Sequence, residues 1–184
     1  MKSENIEILK AGGVGVIPTD TIYGLACSAF SEPAVKRIFN LKGRAEDKPP
    51  VIIISDISDL EKFGAKISPA HLAFIEKYWP GKVTIIFEIP KEFEYLDKGL
   101  GLAVRLPAYE KISEFLKQTG PLATTSVNPP GERPARNIEE AEKYFGSAVD
   151  FYENNGSLDS LPSTLVRING DQVEVLREGV VKIK

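Results

Sequence analysis

Positive side chains gather on one short segment of the chain, KGRAEDKPP, at positions 42 to 50. Lys42, Arg44 and Lys48 carry the charge, and the Gly and Pro residues around them constrain the loop. Arg donates two parallel hydrogen bonds and Lys acts as a point charge, so the segment could bind a polyphosphate. Alternatively, Lys42 and Arg44 interact with the C-terminal dipole of a preceding helix while Lys48 is solvated. The pattern alone leaves both interpretations open.

Arg105 lies inside the apolar run LAVRLP, where a strand would bury its charge. An unpaired buried charge is strongly unfavourable, so we expect an anionic partner for Arg105. That partner is either a structural Asp or Glu or the carboxylate of a ligand. Arg177, near the end of the last predicted strand, presents the same two alternatives.

Polar side chains also follow two of the predicted strands. The segment PTDTIYG (18–24) places Thr19 and Thr21 at the carboxyl end of the first strand, where open α/β sheets bind ligands. The alternative is that both hydroxyls bond to nearby backbone in a turn. The segment PLATTSVNPPGERPARN (121–137) combines a Pro/Gly turn with a polar cluster that an edge strand entering a turn would not explain.

Familiar catalytic and cofactor motifs are missing from the sequence. Gly13-Val14-Gly15 lacks the rest of a dinucleotide fingerprint, and there is no P-loop. The single His71 and the single Cys27 make a triad improbable and leave no metal-ligand set of the zinc type. We interpret His71 as a structural or surface residue and Cys27 as a core residue. An enzyme built from this sequence would work mainly by positioning and electrostatics.

The elements that must position these residues alternate between strand and helix. Strands are predicted at 12–19, 51–55, 82–89, 101–107 and 121–127, with a hairpin over 163–177, and helices at 32–41, 56–64, 68–81, 109–120 and 138–146. The segment 91–101 is predicted to be a mobile loop. An antiparallel terminal hairpin rules out a purely parallel sheet, so the sequence predicts an α/β fold: a single three-layer domain around a twisted mixed β-sheet.

Length and composition agree with one domain over residues 1–184. Hydrophobic residues make up 42% of the chain, and no apolar run approaches the roughly 18 residues that cross a bilayer, so no membrane partner is expected. The net charge of −3 gives no support for general nucleic-acid binding. Without a secretory signal, a cytoplasmic location is expected.

Seven segments, in this order, resemble the YrdC-type threonylcarbamoyl-AMP synthases: PTDTIYGLAC, KGR followed by KPP, WPGKVTIIF, AVRLP, TTSVNPPGERPA, PSTLV and VLREG. The resemblance runs from about residue 12 to residue 180 and includes a Lys-x-Arg paired with a distant Ser-x-Asn. It implies a YrdC-like fold and catalytic roles for Lys42, Arg44, Ser126 and Asn128. It implies that ATP contacts Lys42, Arg44, Lys48, Ser126, Asn128, Pro134 and Arg177. It implies that L-threonine contacts Thr21, Arg105, Thr124 and Ser163.

The reaction that the resemblance implies joins L-threonine, bicarbonate or CO₂, and ATP into threonylcarbamoyl-AMP and pyrophosphate. Mg²⁺ would accompany ATP as the cofactor, held by phosphate oxygens and water and not by a protein ligand cage. The product would pass to the downstream threonylcarbamoyl-transferase machinery that modifies tRNA.

Some residues depart from the family pattern. Lys48-Pro49-Pro50 stands where many members have Asn-Pro-Leu, and Ile53 stands where many have a histidine, which puts one threonine contact in doubt. Two other functions therefore stay open: a module that binds tRNA or double-stranded RNA, and a carbamoyl-adenylate enzyme that uses carbamoyl phosphate.

We expect Arg44→Ala to abolish ATP turnover while the fold stays intact. A loop cation removed from a cleft takes away transition-state charge stabilisation but little core packing. Turnover of ATP and the thermal unfolding of the variant check this expectation together. Near-normal turnover would remove Arg44 from the site.

Overall fold

One mixed sheet organises the chain in the computed structural model, which describes residues 1–43, 49–97 and 99–184. The strand order of the described chain is β7-β1-β2-β6-β3-β5-β4-β8-β9. The strands are β1 (Gly15–Pro18), β2 (Tyr23–Ser28), β3 (Val51–Ile53), β4 (Val83–Phe87), β5 (Leu102–Arg105), β6 (Leu122–Ser126), β7 (Phe151–Tyr152), β8 (Thr164–Asn169) and β9 (Gln172–Arg177). Parallel pairs (β1 with β7, β3 with β5, β4 with β8) mix with antiparallel ones.

Helices pack on both faces of the sheet. The α-helices are α1 (Ser3–Lys10), α2 (Glu32–Leu41), α3 (Pro69–Tyr78), α4 (Glu94–Asp97), α5 (Glu110–Thr119) and α6 (Ile138–Phe145), with 3-10 helices at Ile57–Phe63, Lys91–Phe93 and Gly146–Ala148. None of the helices in the described chain is long and apolar enough to cross a membrane.

The sheet separates two hydrophobic cores, and neighbouring strand residues alternate between them. Val16 and Ile52 pack with α2, α3 and α6, whereas their neighbours Ile17 and Ile53 pack with α1 and α5. Successive strand residues point to opposite faces, so β1, β2, β3 and β6 each contribute to both cores. The prediction of a single α/β domain with helix, sheet and helix layers is confirmed.

Local capping explains where two helices begin. Ser68 Oγ accepts a hydrogen bond from His71 N (3.3 Å), and His71 Nδ1 accepts one from Ser68 N (3.2 Å), which forms a capping box at α3. His71 is buried and serves the helix start, so its structural interpretation is confirmed. Asn137 Oδ1 accepts from Glu140 N (2.9 Å) and caps α6 as predicted.

Helix α1 and strands β2 and β7 were not predicted from the sequence, and the segment 91–101 was wrongly predicted to be a loop throughout. Helix α1 has no side-chain cap at Lys2, and β7 has two residues only. Strand β2 consists of YGLACS, whose small residues have weak strand preference, although five of its six positions are buried. Within the predicted loop 91–101, residues 91–97 form a 3-10 helix and α4, anchored by fully buried Leu96.

Cys27 should resist alkylation in the folded protein. The thiol is fully buried in the core, and this burial raises its pKa to about 12, so little of the reactive thiolate forms. Iodoacetamide at mildly alkaline pH should leave the native protein unmodified and label the protein in urea, as read by mass spectrometry. Labelling of the native protein at the rate of the urea-unfolded chain would contradict this burial.

Candidate functional site

A cleft of about 230 Å³ brings together side chains from distant parts of the sequence. The predicted site residues that line it are Thr21, Arg105, Thr124, Ser126, Pro134, Ser163 and Arg177. Lys42 and Asn128 are not among its lining residues, and Arg44 and Lys48 fall outside the described residues. The walls come from the β1–β2 turn, the ends of β5, β6 and β9, and the chain that enters β8.

Sheet register explains how two of these residues come to share a wall. Thr124 of β6 lies opposite Ala26 of β2 on one side and Val51 of β3 on the other. Val51 in turn lies opposite Ala103, two residues before Arg105. Paired residues, and residues two apart in one strand, point to the same face, so Thr124 and Arg105 project from one face of the sheet.

Arg105 pairs with Asp20, and both side chains are almost completely buried, at 5% and 6% exposed. The sequence predicted an anionic partner for the buried Arg105, and the structure shows that this partner is the carboxylate of Asp20. Burial lowers the pKa of the Arg105 guanidinium, and Asp20 acts in the opposite direction. Asp20 was absent from the residues predicted for the site. The only signal for it was an acidic residue between two threonines in PTDT.

The turn that carries Asp20 is held by its own hydroxyls. Thr19 Oγ1 donates to the carbonyl of Ile22 (2.7 Å) and accepts from the amide of Thr21 (3.2 Å). The two threonine hydroxyls lie 3.1 Å apart. The turn interpretation of these threonines is therefore confirmed, and both also line the cleft. A turn organised in this way holds its residues in one arrangement.

Lys42 lies behind the cleft wall and is 1% exposed. Its Nζ donates to the carbonyls of Ser126 (2.7 Å) and Asn128 (2.5 Å) and to Asn128 Oδ1 (2.6 Å). Ser126 Oγ donates to the same Oδ1 at 2.6 Å. The Lys-x-Arg and Ser-x-Asn segments are thus joined through Lys42, which fastens the end of α2 to the segment after β6. The contact of Lys42 with ATP stays a prediction.

Arg177 and Ser163 meet at the other side of the cleft. Arg177 Nη2 donates to the carbonyl (2.9 Å) and the hydroxyl (3.2 Å) of Ser163, whose hydroxyl lies 2.7 Å from Thr84 Oγ1. Burial, and secondarily the positive charge of Arg105, lowers the pKa of Arg177. No carboxylate of the described residues pairs with Arg177. Among the described residues, two guanidinium groups and one carboxylate therefore give this end of the cleft a positive charge, which suits an anion.

Gly179 allows two backbone segments to pack closely at this side of the cleft. A Cβ at Gly179 would lie 2.4 Å from the carbonyl oxygen of Pro162 and 2.5 Å from the carbonyl carbon of Ser163. Only glycine permits so close an approach of two backbones. The segment that follows β9 can then lie against the start of β8 and keep Arg177 beside Ser163.

A family model described as "Telomere recombination", for the Sua5, YciO and YrdC proteins, matches residues 7–179. The chain belongs to this family. A Hahella chejuensis protein named threonylcarbamoyl-AMP synthase is 32% identical over 150 residues, which cover 80% of this chain and 82% of the relative.

Solved structures of family members share the fold. A structure of P. abyssi Sua5 complexed with L-threonine matches with a TM-score of 0.89 and 27% identity over 96% of this chain, which spans only 53% of that protein. E. coli YciO matches with a TM-score of 0.88 and 26% identity, with 98% of this chain and 90% of YciO covered.

Ile53, which stands where the resemblance leads us to expect a histidine in many members, is fully buried in this YrdC-family chain. It lies opposite Arg105 in the sheet and packs in the core that α1 and α5 cover. Ile53 is not among the residues that line the cleft, whereas Pro49, from the other altered segment, is. An isoleucine in this position supplies packing and no polar contact to a ligand.

The chain between β7 and β8, residues 153–163, forms a strap that ends in the cleft wall. Tyr23 is fully buried beneath it, and its hydroxyl donates to the carbonyl of Gly156 (2.7 Å) and accepts from the amide of Asn155 (2.9 Å). Leu158 N donates to the carbonyl of Arg136 at 2.7 Å. Tyr23 was not predicted as a site residue, because its partners lie more than 130 positions away in the sequence.

We expect Tyr23→Phe to loosen the strap. Loss of the hydroxyl leaves Asn155 N without its acceptor, which should lower the free energy of unfolding by about 1–3 kcal/mol. Hydrogen exchange at the Asn155 amide should accelerate. Tyr95→Phe is the matched control, since its hydroxyl donates to Ala29 O (2.9 Å) away from the strap. Equal exchange at Asn155 in both variants would refute the pinning role of Tyr23.

Proposed function

We propose that this chain is an L-threonylcarbamoyladenylate synthase, which makes threonylcarbamoyl-AMP and pyrophosphate from L-threonine, bicarbonate or CO₂, and ATP. The observation that carries the proposal is the cleft, where two arginines and several hydroxyls converge in a family whose relatives bear this name. The L-threonine complex of P. abyssi Sua5 supports threonine as the amino acid.

The cleft suits an amino acid in charge and in size. Arg105 would receive the carboxylate, while Thr21, Thr124 and Ser163 offer hydroxyls to the polar groups of L-threonine. A volume of about 230 Å³ lies below the roughly 300–1,000 Å³ of sites for drug-sized ligands, so it would hold the amino acid and not a whole nucleotide. ATP would therefore extend past Ser126 and Pro134.

The proposed reaction needs no nucleophile from the protein. The amine of threonine adds to CO₂ and gives a carbamate with loss of one proton. A carbamate oxygen then attacks the α-phosphorus of ATP, and the bond to pyrophosphate breaks. Ser163, assigned to threonine, bonds directly to Arg177, assigned to ATP, so the two substrates would meet at this contact. The protein contributes orientation and positive charge.

Mg²⁺ is proposed as the companion of ATP, where it would neutralise phosphate charge. Among the described residues, no group of three His, Cys, Asp or Glu side chains could hold a metal ion. Phosphate oxygens and water would supply most of its ligands. Lys42, Arg44 and Lys48 remain proposed contacts of the nucleotide.

The setting of the reaction is part of the proposal. A cytoplasmic location and transfer of the product to a threonylcarbamoyl transferase acting on tRNA would follow from the synthase function.

Direct binding of tRNA or double-stranded RNA gains no support from the arginines beside the cleft. Arg133 donates to both oxygens of Glu140 (2.8 and 2.6 Å), and Arg136 lies 3.2 Å from Asp159, so both charges are already paired.

Pyrophosphate release from ATP, measured with Mg²⁺, tests the proposal. We expect release only when L-threonine and bicarbonate are both present, because the carbamate that attacks ATP forms from both. Serine and carbamoyl phosphate serve as alternative substrates in parallel reactions.

Release with carbamoyl phosphate but not with threonine would contradict the proposal and favour the carbamoyl-adenylate function. If all substrates leave ATP intact, the synthase function is rejected, and a gel-shift assay with tRNA and duplex RNA follows.

A further inference from the structure

We propose that Asp20 is a positioning residue that fixes the Arg105 guanidinium for the carboxylate of the amino acid. The inference rests on the proposed function and deepens it, because it names what sets the orientation and charge of the amino-acid end of the cleft. Asp20 itself does not line the cleft. It acts through Arg105, which does.

Burial makes the Asp20–Arg105 pair sensitive to the loss of either member. Both side chains are at least 94% buried, and a buried charge that loses its partner costs several kcal/mol. Asp20 accepts from Arg105 Nη1, while Arg105 Nε is buried and has no acceptor within the described chain. One side of the guanidinium is therefore held by the protein, and donor capacity remains for a carboxylate.

The β1–β2 turn holds Asp20 in place independently of its contact with Arg105. Asp20 lies in the β1–β2 turn, which the hydroxyl of Thr19 closes through Ile22 O and Thr21 N. Arg105 ends β5, and strands β6 and β3 lie between β2 and β5 in the sheet. The ion pair thus joins two separate walls of the cleft. A rotation of the guanidinium away from the cleft would break this link.

Charge balance gives Asp20 a role beyond support of the fold. Arg177 lies near enough to Arg105 for the charge of Arg105 to lower the pKa of Arg177, and no carboxylate of the described chain pairs with Arg177. Among the described residues, Asp20 neutralises one of the two arginines, so about one unit of positive charge remains for an anionic ligand. Without Asp20, the two guanidiniums would repel each other, and Arg105 would turn away from the ligand.

The test measures L-threonine and Mg-ATP affinity by calorimetry for the wild type, Asp20→Asn, Arg105→Ala and the double variant. We expect Asp20→Asn to weaken threonine binding at least about tenfold, which corresponds to about 1.4 kcal/mol. The affinity for Mg-ATP should change by less than about twofold, since Asp20 acts on the amino-acid end. In the Arg105→Ala background, Asp20→Asn should have no further effect on threonine, because a residue that acts through Arg105 has nothing left to position.

Asp59→Asn is the matched control, because Asp59 is also a buried carboxylate, bound by Lys62 and Ser55 away from the cleft. Both variants should lose stability, but only Asp20→Asn should lose threonine affinity. If Asp20→Asn does not fold, Asp20→Glu replaces it; the charge stays while the longer side chain displaces the guanidinium, and the same loss is expected.

Unchanged threonine affinity in the Asp20 variant, whatever its stability, would overturn the inference. An equal loss in the Arg105→Ala background would overturn it too, since Asp20 would then act independently of Arg105. Failure of the wild type to bind L-threonine at all would instead reject the proposed function, and this inference with it.

Discussion

Two buried cations, Arg105 and Lys42, must find acceptors inside the protein, and the way they do so shapes the candidate site. Arg105 receives a carboxylate from the β1–β2 turn, and Lys42 receives carbonyl and amide oxygens from the segment after β6. A buried charge without such partners would be strongly unfavourable, so these links fix the positions of their segments. The walls of the cleft are thereby joined by polar contacts that cross the layers of the fold.

Apolar packing sets the frame in which those contacts form. Strands β1, β2, β3 and β6 give alternate residues to two cores, and the helices on both faces hold the sheet in place. The side that includes Arg177 depends on a different constraint, the close approach of Gly179 to the backbone of Pro162 and Ser163. Buried polar contacts, apolar packing and close backbone contact therefore hold separate parts of the same cleft. Among the described residues, neither a disulfide nor a group of metal ligands takes part.

Sequence periodicity predicted the strands and helices whose burial pattern is strong, such as α2 and β8. It missed β2, whose small residues Gly24, Ala26 and Cys27 are buried without the usual β-branched pattern. Arg105 and the polar cluster that contains Thr124 and Ser126 could be singled out because polar groups stand out in an apolar context. Ser163 and Pro134 were predicted from the family resemblance alone. The Asp20–Arg105 pair could not, because its members are 85 positions apart and only the tertiary fold joins them.

The fold does not by itself determine the reaction, since proteins of one fold can carry different sites. E. coli YciO and P. abyssi Sua5 match this chain almost equally well, so the distinguishing features must be individual side chains. Ile53 differs from the histidine that the family resemblance leads us to expect at this position. Because it is fully buried beside Arg105, it supports the strand that carries the arginine but offers no polar group to a ligand. On the opposite wall, Arg177 and Ser163 bond to each other and face the same cleft as Arg105. In the proposed function, Arg105 would bind the carboxylate, which all amino acids share, so the hydroxyls of Thr21, Thr124 and Ser163 would have to distinguish threonine by its side chain.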